Sequence, residues 1–269
     1  MNEEILKKLE NEPKTGFKTA VNIIIIVGLL VWSFLGIQPS ESNINGWGIV
    51  GNIFSGIFSP DWSLFNLTEQ GIPFLLIETL AIGLLGTLMG AILAIPFSFL
   101  QASNIVPKWI AYITRLFLIL VRTIPTLVYG LIFIRVVGPG AFAGILTMAM
   151  TSIGMLAKLF TEAILDINKD ILESLSALGM TTFEKIRFGI LPQLSAMFLS
   201  TIIYRFDINI RDATILGLVG AGGIGAPLIF AINGYKWKQV GAILIGLMVL
   251  VLTIEYFSSK FRSKLVKGY

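Results

Sequence analysis

Long apolar runs alternate along this chain with shorter stretches that hold most of its charge. A helix needs about 20 apolar residues to cross the hydrocarbon core of a bilayer. Residues 19–37, "TAVNIIIIVGLLVWSFLGI", meet that length with no charge. The run is too long for a secretory signal and no small-residue cleavage site closes it, so it reads as a retained helix. A second span is expected over about residues 74–100, ending in "AILAIPFSFL", where Pro96 should kink a long helix. Further spans are expected over about 111–136, which carries Arg115, Arg122 and Pro125, and over about 141–161. A fifth, about 193–216, is interrupted by charge, and a sixth covers about 240–257. The fold class that follows is all-α, a polytopic membrane protein with about six transmembrane helices.

Composition narrows the chemistry. Of 269 residues, 55% are hydrophobic and 13% charged, and mean hydropathy is +0.84, more apolar surface than a soluble domain of this length can hide. Cysteine and histidine are both absent. That removes disulfides, Cys- or His-based metal sites, Cys–His nucleophiles and the Ser–His–Asp triad.

In a membrane chain the position of basic residues says more than the net charge of +4. Lys7, Lys8, Lys14 and Lys18 precede the first span, and Lys260, Arg262, Lys264 and Lys267 follow the last. The connection 38–73 has neither lysine nor arginine, only Glu41, Asp61 and Glu69, with Trp47 and Trp62 suited to a membrane interface. An even number of spans with both termini in the cytoplasm satisfies the positive-inside rule. Segment 162–192, with Lys169, Lys185 and Arg187, is then cytoplasmic too, while Arg135, Lys236 and Lys238 fall outside and oppose the scheme. The chain divides on this reading into residues 1–73 (tail, first helix and outer connection), 74–257 (transmembrane core) and 258–269 (basic tail). Within the core, Gly86-x-x-x-Gly90 either lets two helices approach closely or is a chance recurrence of small residues.

Segment 166–192, "DINKDILESLSALGMTTFEKIRFGILP", is the most informative stretch. Asp170 before Glu173, and Thr181 before Glu184, have the spacing of capping boxes. Gly179 between them suits the left-handed residue that ends a helix, and Gly189 and Pro192 punctuate the far end. Two short helices are expected, roughly 171–178 and 182–188, meeting at a bend. Helices of two turns are not stable alone in water. Ile171, Leu172, Leu175, Leu178, Phe183, Ile186 and Phe188 must therefore pack, either on the ends of the spans or in a groove of another protein.

Glu173, Gly179 and Leu191-Pro192 resemble the EAA loop of ATP-binding-cassette importer permeases. The general pattern has two alanines after the glutamate and an isoleucine two places before the leucine; here Ser174-Leu175 and Gly189 stand there. "SIGMLAKLFTEAI" (152–164), "LGMTTFEKIRFGILPQ" (178–193) and "YRFDINIRDATILGLVGAGGIG" (204–225) together resemble the phosphonate-type permeases over about residues 74–257. The resemblance implies a five-helix permease core and a loop whose Glu173, Leu175, Gly179, Thr181, Phe183, Glu184, Leu191 and Pro192 meet an ATPase. It implies an importer subunit for phosphonate or a related phosphorus oxyanion in a prokaryotic cell membrane. Its expected partners are a cytoplasmic ATPase dimer, an extracytoplasmic binding protein, a second permease copy or homologue, and lipid, with no nucleic acid. No cofactor or metal is expected in this chain; ATP and magnesium would be used by the ATPase.

"VGAGGIGAPL" (219–228) contains Gly220-x-Gly222-x-x-Gly225, the spacing of a dinucleotide-binding fingerprint. That fingerprint needs a preceding strand and an acidic residue about 20 positions on. Here a charged span precedes it, and no acid occurs between Asp212 and Glu255. The match is therefore read as coincidental. Glycines permit tight bends and close approach of chains. The family resemblance implies that Gly220, Gly222, Gly223 and Gly225 belong to an extracytoplasmic gate; punctuation of a loop is the plainer alternative.

"YRFDINIRDATIL" places Arg205, Asp207, Arg211 and Asp212 where lipid is expected. Ionisable residues within a span are unfavourable unless paired or wet. Asp207 and Arg211, one turn apart, can pair, while Arg205, Asn209 and Asp212 share another face. Charges on two faces require a central helix. Arg205 or Arg211, with Arg122, either stabilises a crossing anion or belongs to ion pairs that fix packing. Glu78 and Lys158 are expected to reach headgroups from span ends. An integral membrane enzyme would need a convergent nucleophile, base or metal site, which this composition does not supply. A passive channel would need no capped cytoplasmic helix pair.

Overall fold

The computed structural model describes residues 16–36 and 46–267. Lys7, Lys8, Lys14 and Glu41, which entered the charge argument, lie outside the described residues. The described residues fall into two compact units that divide at about Gly46. In the first, α1 (Gly16–Gly36) is apolar and its described side chains are exposed, as suits a helix surrounded by lipid.

The second unit contains α2 (Gly46–Phe58), α3 (Ile72–Gln101), α4 (Lys108–Thr123), α5 (Thr126–Val137), α6 (Ala141–Leu165) and α7 (Lys169–Ala177). It continues with α8 (Thr182–Gly217), α9 (Gly225–Asn233) and α10 (Trp237–Lys267). Among the described residues, five helices are long and apolar enough to cross a membrane, and the bent pair α4–α5 makes six if counted as one span. Helices α2 and α9 were not foreseen, because each is too short to register as a span.

Helices α3 and α6 form the centre of the bundle, and glycine is the reason they lie so close. A Cβ on Gly86 would collide with Met148, and one on Gly90 with Ser152. The Gly-x-x-x-Gly spacing is thus a packing surface and not a chance recurrence. Helix α3 continues as one helix through Pro96. At the end of α6 that leads into α7, Phe160 stacks on Phe198 at 4.3 Å amid Leu156, Ile164, Ile190 and Leu194. At its other end Gly144 lies against Ala221. Helix α6 spans 25 residues, so these two ends are separated by about 37 Å.

The expected third span is broken. Helices α4 and α5 meet at 84°. Pro125 disfavours helical geometry for Ile124, which is extended at φ −81°, ψ 121°. The buried Tyr129 hydroxyl donates to the Val121 carbonyl at 2.9 Å, satisfying a group that the break would otherwise orphan.

Candidate functional site

Helices α7 and α8 form an elbow at one end of the bundle. The cap of α7 is Asn168, whose side chain accepts from the Asp170 amide at 3.0 Å, two residues before the expected Asp170. Asp170 sits instead in the first turn, where its charge complements the helix dipole. The far end closes as a Schellman motif: Met180 donates to the Leu175 carbonyl at 3.2 Å and Gly179 to Ser176 at 3.0 Å, with Gly179 at φ +75°. Thr181 and Glu184 form a full capping box, with the Thr181 amide donating to the Glu184 carboxylate at 2.7 Å.

The second expected short helix does not stop at Gly189 or Pro192. Residues Lys185–Ile190 take a π-helical register and lead directly into Leu191–Gly217. Pro192 has no amide hydrogen, and at the start of an α segment that loss does no damage. The elbow is therefore rigidly continuous with the charged span. Its apolar residues divide between the two expected roles. Leu172 and Ile186 pack on the bundle core, and Leu175 covers Gly189. Leu178, Phe183 and Phe188 remain 74%, 68% and 61% exposed. Glu173, Leu191 and Pro192 are exposed as well. Glu173 and Lys185 line a cleft of about 320 Å³ with Asn104, Leu172 and Ser176.

A polar seam runs between α3, α6 and α8. Arg205 is 7% exposed, and its Nε donates to Ser152 Oγ at 3.1 Å and its Nη2 to Thr151 Oγ1 at 3.0 Å. Buried Asn209 donates to Thr87 at 2.7 Å and to Ser152 at 2.8 Å, while its own carbonyl oxygen has no partner among the described residues. Arg211 meets Asp207 at 2.7 Å, as the one-turn spacing anticipated, and lies 3.8 Å from Glu255 of α10. Arg122, at the α4–α5 break, lines a cavity of about 140 Å³ together with Arg205, Thr126, Thr151 and Met155. Lys158 pairs with Glu162 at 3.4 Å on an exposed face of α6. The roles of Thr87, Thr126, Thr151 and Ser152 were missed. Hydroxyls scattered through an apolar span were the signal, since such groups seek interhelical partners.

The loop 218–224 lies at the opposite end. Gly220, Gly222 and Gly223 have φ of +95°, +85° and +74°, and Gly225 begins α9. The Ile224 amide donates to Thr79 Oγ1 at 2.9 Å, and the Gly140 amide to the Gly220 carbonyl at 2.9 Å. The Glu78 carboxylate faces this loop: a Cβ on Gly222 would lie 3.0 Å from its Oε1. Glu78, half-buried, thus sets its carboxylate beside the loop. No strand precedes the glycines among the described residues, so the dinucleotide spacing lacks its structural context.

A bundle of long apolar helices with a polar interior and a capped, exposed elbow has the architecture of an integral membrane protein. Known proteins narrow this. Residues 86–259 match the family described as "Binding-protein-dependent transport system inner membrane component". The chain is 31% identical to a phosphite transport system permease protein of Stutzerimonas stutzeri over 90% of its length and 87% of that protein's. It is 36% identical to a phosphate-import permease protein of Mycolicibacterium smegmatis over 90% of its length and 45% of the relative's. Among solved structures it matches an inward-facing MetNI methionine ABC transporter with a TM-score of 0.63 at 20% identity, over 70% of this chain and 93% of that one. An amino acid ABC transporter matches with a TM-score of 0.58 at 19% identity, over 83% and 100%.

The chain belongs to the family of binding-protein-dependent transport system inner membrane components. It is a permease subunit of an importer, and membership of such a system implies an ATPase and a substrate-binding protein as partners.

Proposed function

We propose that this chain forms half of the translocation pathway of an ATP-driven importer for phosphonate or a related phosphorus oxyanion. The observation that carries the substrate class is the likeness to a phosphite permease across nearly the full length of both chains. In this reading a second copy or homologue completes the pathway, and ATP and magnesium act on a separate ATPase dimer, with no hydrolysis by this chain. Both termini and the α7–α8 elbow face the cytoplasm. Leu178, Phe183 and Phe188 insert into the ATPase, and Glu173, Leu175, Gly179, Thr181, Glu184, Leu191 and Pro192 shape the lever that carries them. Because α8 continues without interruption from the elbow into the bundle, closure of the ATPases moves the charged span directly. That span contributes Arg205, Asp207 and Arg211 to the pathway beside Arg122. Gly220, Gly222, Gly223 and Gly225 form the outer gate, where the binding protein delivers its ligand.

The test is uptake by proteoliposomes that hold the chain, its ATPase and its binding protein, using radiolabelled phosphite, phosphate and methylphosphonate. ATP-dependent accumulation of at least one of them is expected, with ATPase activity stimulated by the loaded binding protein. Failure to accumulate any of the three, in vesicles whose ATPase responds to the binding protein, would exclude this substrate class.

A further inference from the structure

The two arginines of the charged span differ in one respect. Arg211 is met by two carboxylates, Asp207 at 2.7 Å and Glu255 at 3.8 Å. Arg205 donates to Ser152, Thr151 and the Met155 sulfur, all of them neutral. No carboxylate lies within 4.0 Å of its guanidinium among the described residues. Asp212, two turns along, acts on it electrostatically without forming an ion pair. A buried charge is strongly unfavourable without a close counter-ion. The seam thus contains one compensated cation and one that lacks a paired anion.

The arginine without an ion-pair partner faces space. Arg205 lines the 140 Å³ cavity with Arg122, Thr126 and Thr151. At about 30 Å³ per water, that volume holds roughly four or five heavy atoms. The break at Pro125 also aims the start of α5 here, since Ile124 and Thr126 both line the cavity. Helix α5 has 12 residues and no side-chain cap; its Val128 amide donates to the Pro125 carbonyl at 3.0 Å, and its N-terminus carries the positive end of the dipole. Gly154 makes the room: a Cβ there would collide with the Arg122 stem. Two guanidinia, the Thr126 side chain and a helix N-terminus line a space the size of a tetrahedral oxyanion, while the Thr151 hydroxyl donates to its own helix and holds Arg205 in place.

We propose that this cavity is an intramembrane oxyanion site, where the head group of the transported phosphorus oxyanion becomes the counter-ion that Arg205 lacks. The proposal rests on the reading of the chain as a phosphorus-oxyanion importer subunit. It divides the charged residues of α8 by task. Arg205 and Arg122 meet the anion bidentately, whereas Asp207 and Arg211 line the pathway as a pair that neutralises itself, with Glu255 of α10 3.8 Å from Arg211. A lipid phosphate has the same chemistry, and the experiment separates the two sources.

The chain is assembled with its ATPase in phosphatidylcholine nanodiscs, without the binding protein, and its thermal unfolding is followed against inorganic phosphite and phosphate, with chloride at matched ionic strength. Saturable stabilisation by the oxyanions is expected, abolished in Arg205→Gln and in Arg122→Gln and partly kept in Arg205→Lys. In proteoliposomes with the binding protein, each glutamine variant should lower uptake at limiting substrate by about tenfold or more. Arg122 is exposed within the chain, so Arg122→Gln carries the test if Arg205→Gln does not assemble with the ATPase. Stabilisation by phosphatidylglycerol but not by phosphite overturns the proposal, and so does uptake at the wild-type rate by both glutamine variants. Wild-type protein that moves none of the anions overturns the functional reading itself; wild-type transport untouched by the substitutions overturns the site alone.

Discussion

Gly179 and Gly223 hold nearly the same left-handed backbone, at φ +75° and +74°, near opposite ends of the bundle. A side chain added at Gly179 would meet nothing within 4 Å, whereas one at Gly223 would lie 2.5 Å from Thr79 Oγ1. Gly179 needs only its φ; Gly223 needs its φ and its missing side chain. The contrast extends to the surroundings. Beside Gly179, Leu178 is 74% exposed, while beside Gly223, Ile224 is fully buried. One loop offers apolar surface to something outside the chain. The other packs Ile224 with Ile72 of α3 and with Val240 and Ile243 of α10.

Substituting valine at both glycines should separate the two cases most sharply. A left-handed conformation costs a branched residue about 1–2 kcal/mol, and overpacking adds about 1–3 kcal/mol. Gly223→Val should therefore lose about 2–5 kcal/mol, read as a markedly lower unfolding temperature in detergent. Gly179→Val should bear only the strain and stay folded. Equal loss in thermal unfolding for both variants would remove the distinction.

A milder change addresses the same buried loop. Thr79→Val leaves the Ile224 amide without its acceptor, in a site where Thr79 is 0% exposed. An unsatisfied buried donor costs about 1–3 kcal/mol, read as a lower unfolding temperature of the purified chain. An unchanged unfolding temperature would mean that this hydrogen bond does not hold the loop to α3.

The two loops also differ in how far they could be read from the sequence. At the elbow the signals are local. The Thr181–Glu184 spacing, the position of Gly179 and the apolar residues around it all follow from contacts within a few residues, and they reappear in the structure. Two details escaped because they depend on competition between neighbours: Asn168 takes the cap ahead of Asp170, and a π register carries the chain through Gly189 and Pro192. The glycine loop is different. Its local spacing mimics a nucleotide fingerprint, and its actual partners are Thr79, Glu78 and Ala141, which lie far away in sequence. The polar seam failed in the same way: Ser152 joins Arg205 to Asn209 across more than 50 residues. The charges were visible, but which of them was paired was not. The break at Pro125 shows the limit once more, since an apolar run of adequate length turned through 84°.

Exposure at the elbow predicts effects that appear only with a partner present. Phe183→Ala should leave the unfolding temperature of the isolated chain unchanged, because Phe183 is 68% exposed. Burial of an aromatic anchor in a partner's groove is worth about 2 kcal/mol, so co-purification with the ATPase should weaken by roughly thirtyfold. Gly179→Asp and Glu173→Lys place new charge on this face and should uncouple ATP hydrolysis from uptake while membrane insertion proceeds. Gly179→Asn is the control, since asparagine adopts the left-handed conformation as readily as aspartate does but brings no charge. Equal uptake by the asparagine and aspartate variants would show that charge at this face is immaterial.

The smallest effect expected is at the cap between the two helices. Thr181 accepts from the Glu184 amide at 3.4 Å, and its own amide donates to the Glu184 carboxylate at 2.7 Å. Thr181→Ala removes the hydroxyl and keeps the backbone donor, so about 1 kcal/mol of local helix stability should be lost. Since α8 is anchored further along by Ile190, Leu194 and Phe198, global unfolding should barely move. The loss should appear as faster amide exchange confined to residues 182–186, with coupling to the ATPase weakened less than in Phe183→Ala. Exchange that spreads into the buried span would mean that the elbow is held by its cap, and that its continuity with α8 contributes little.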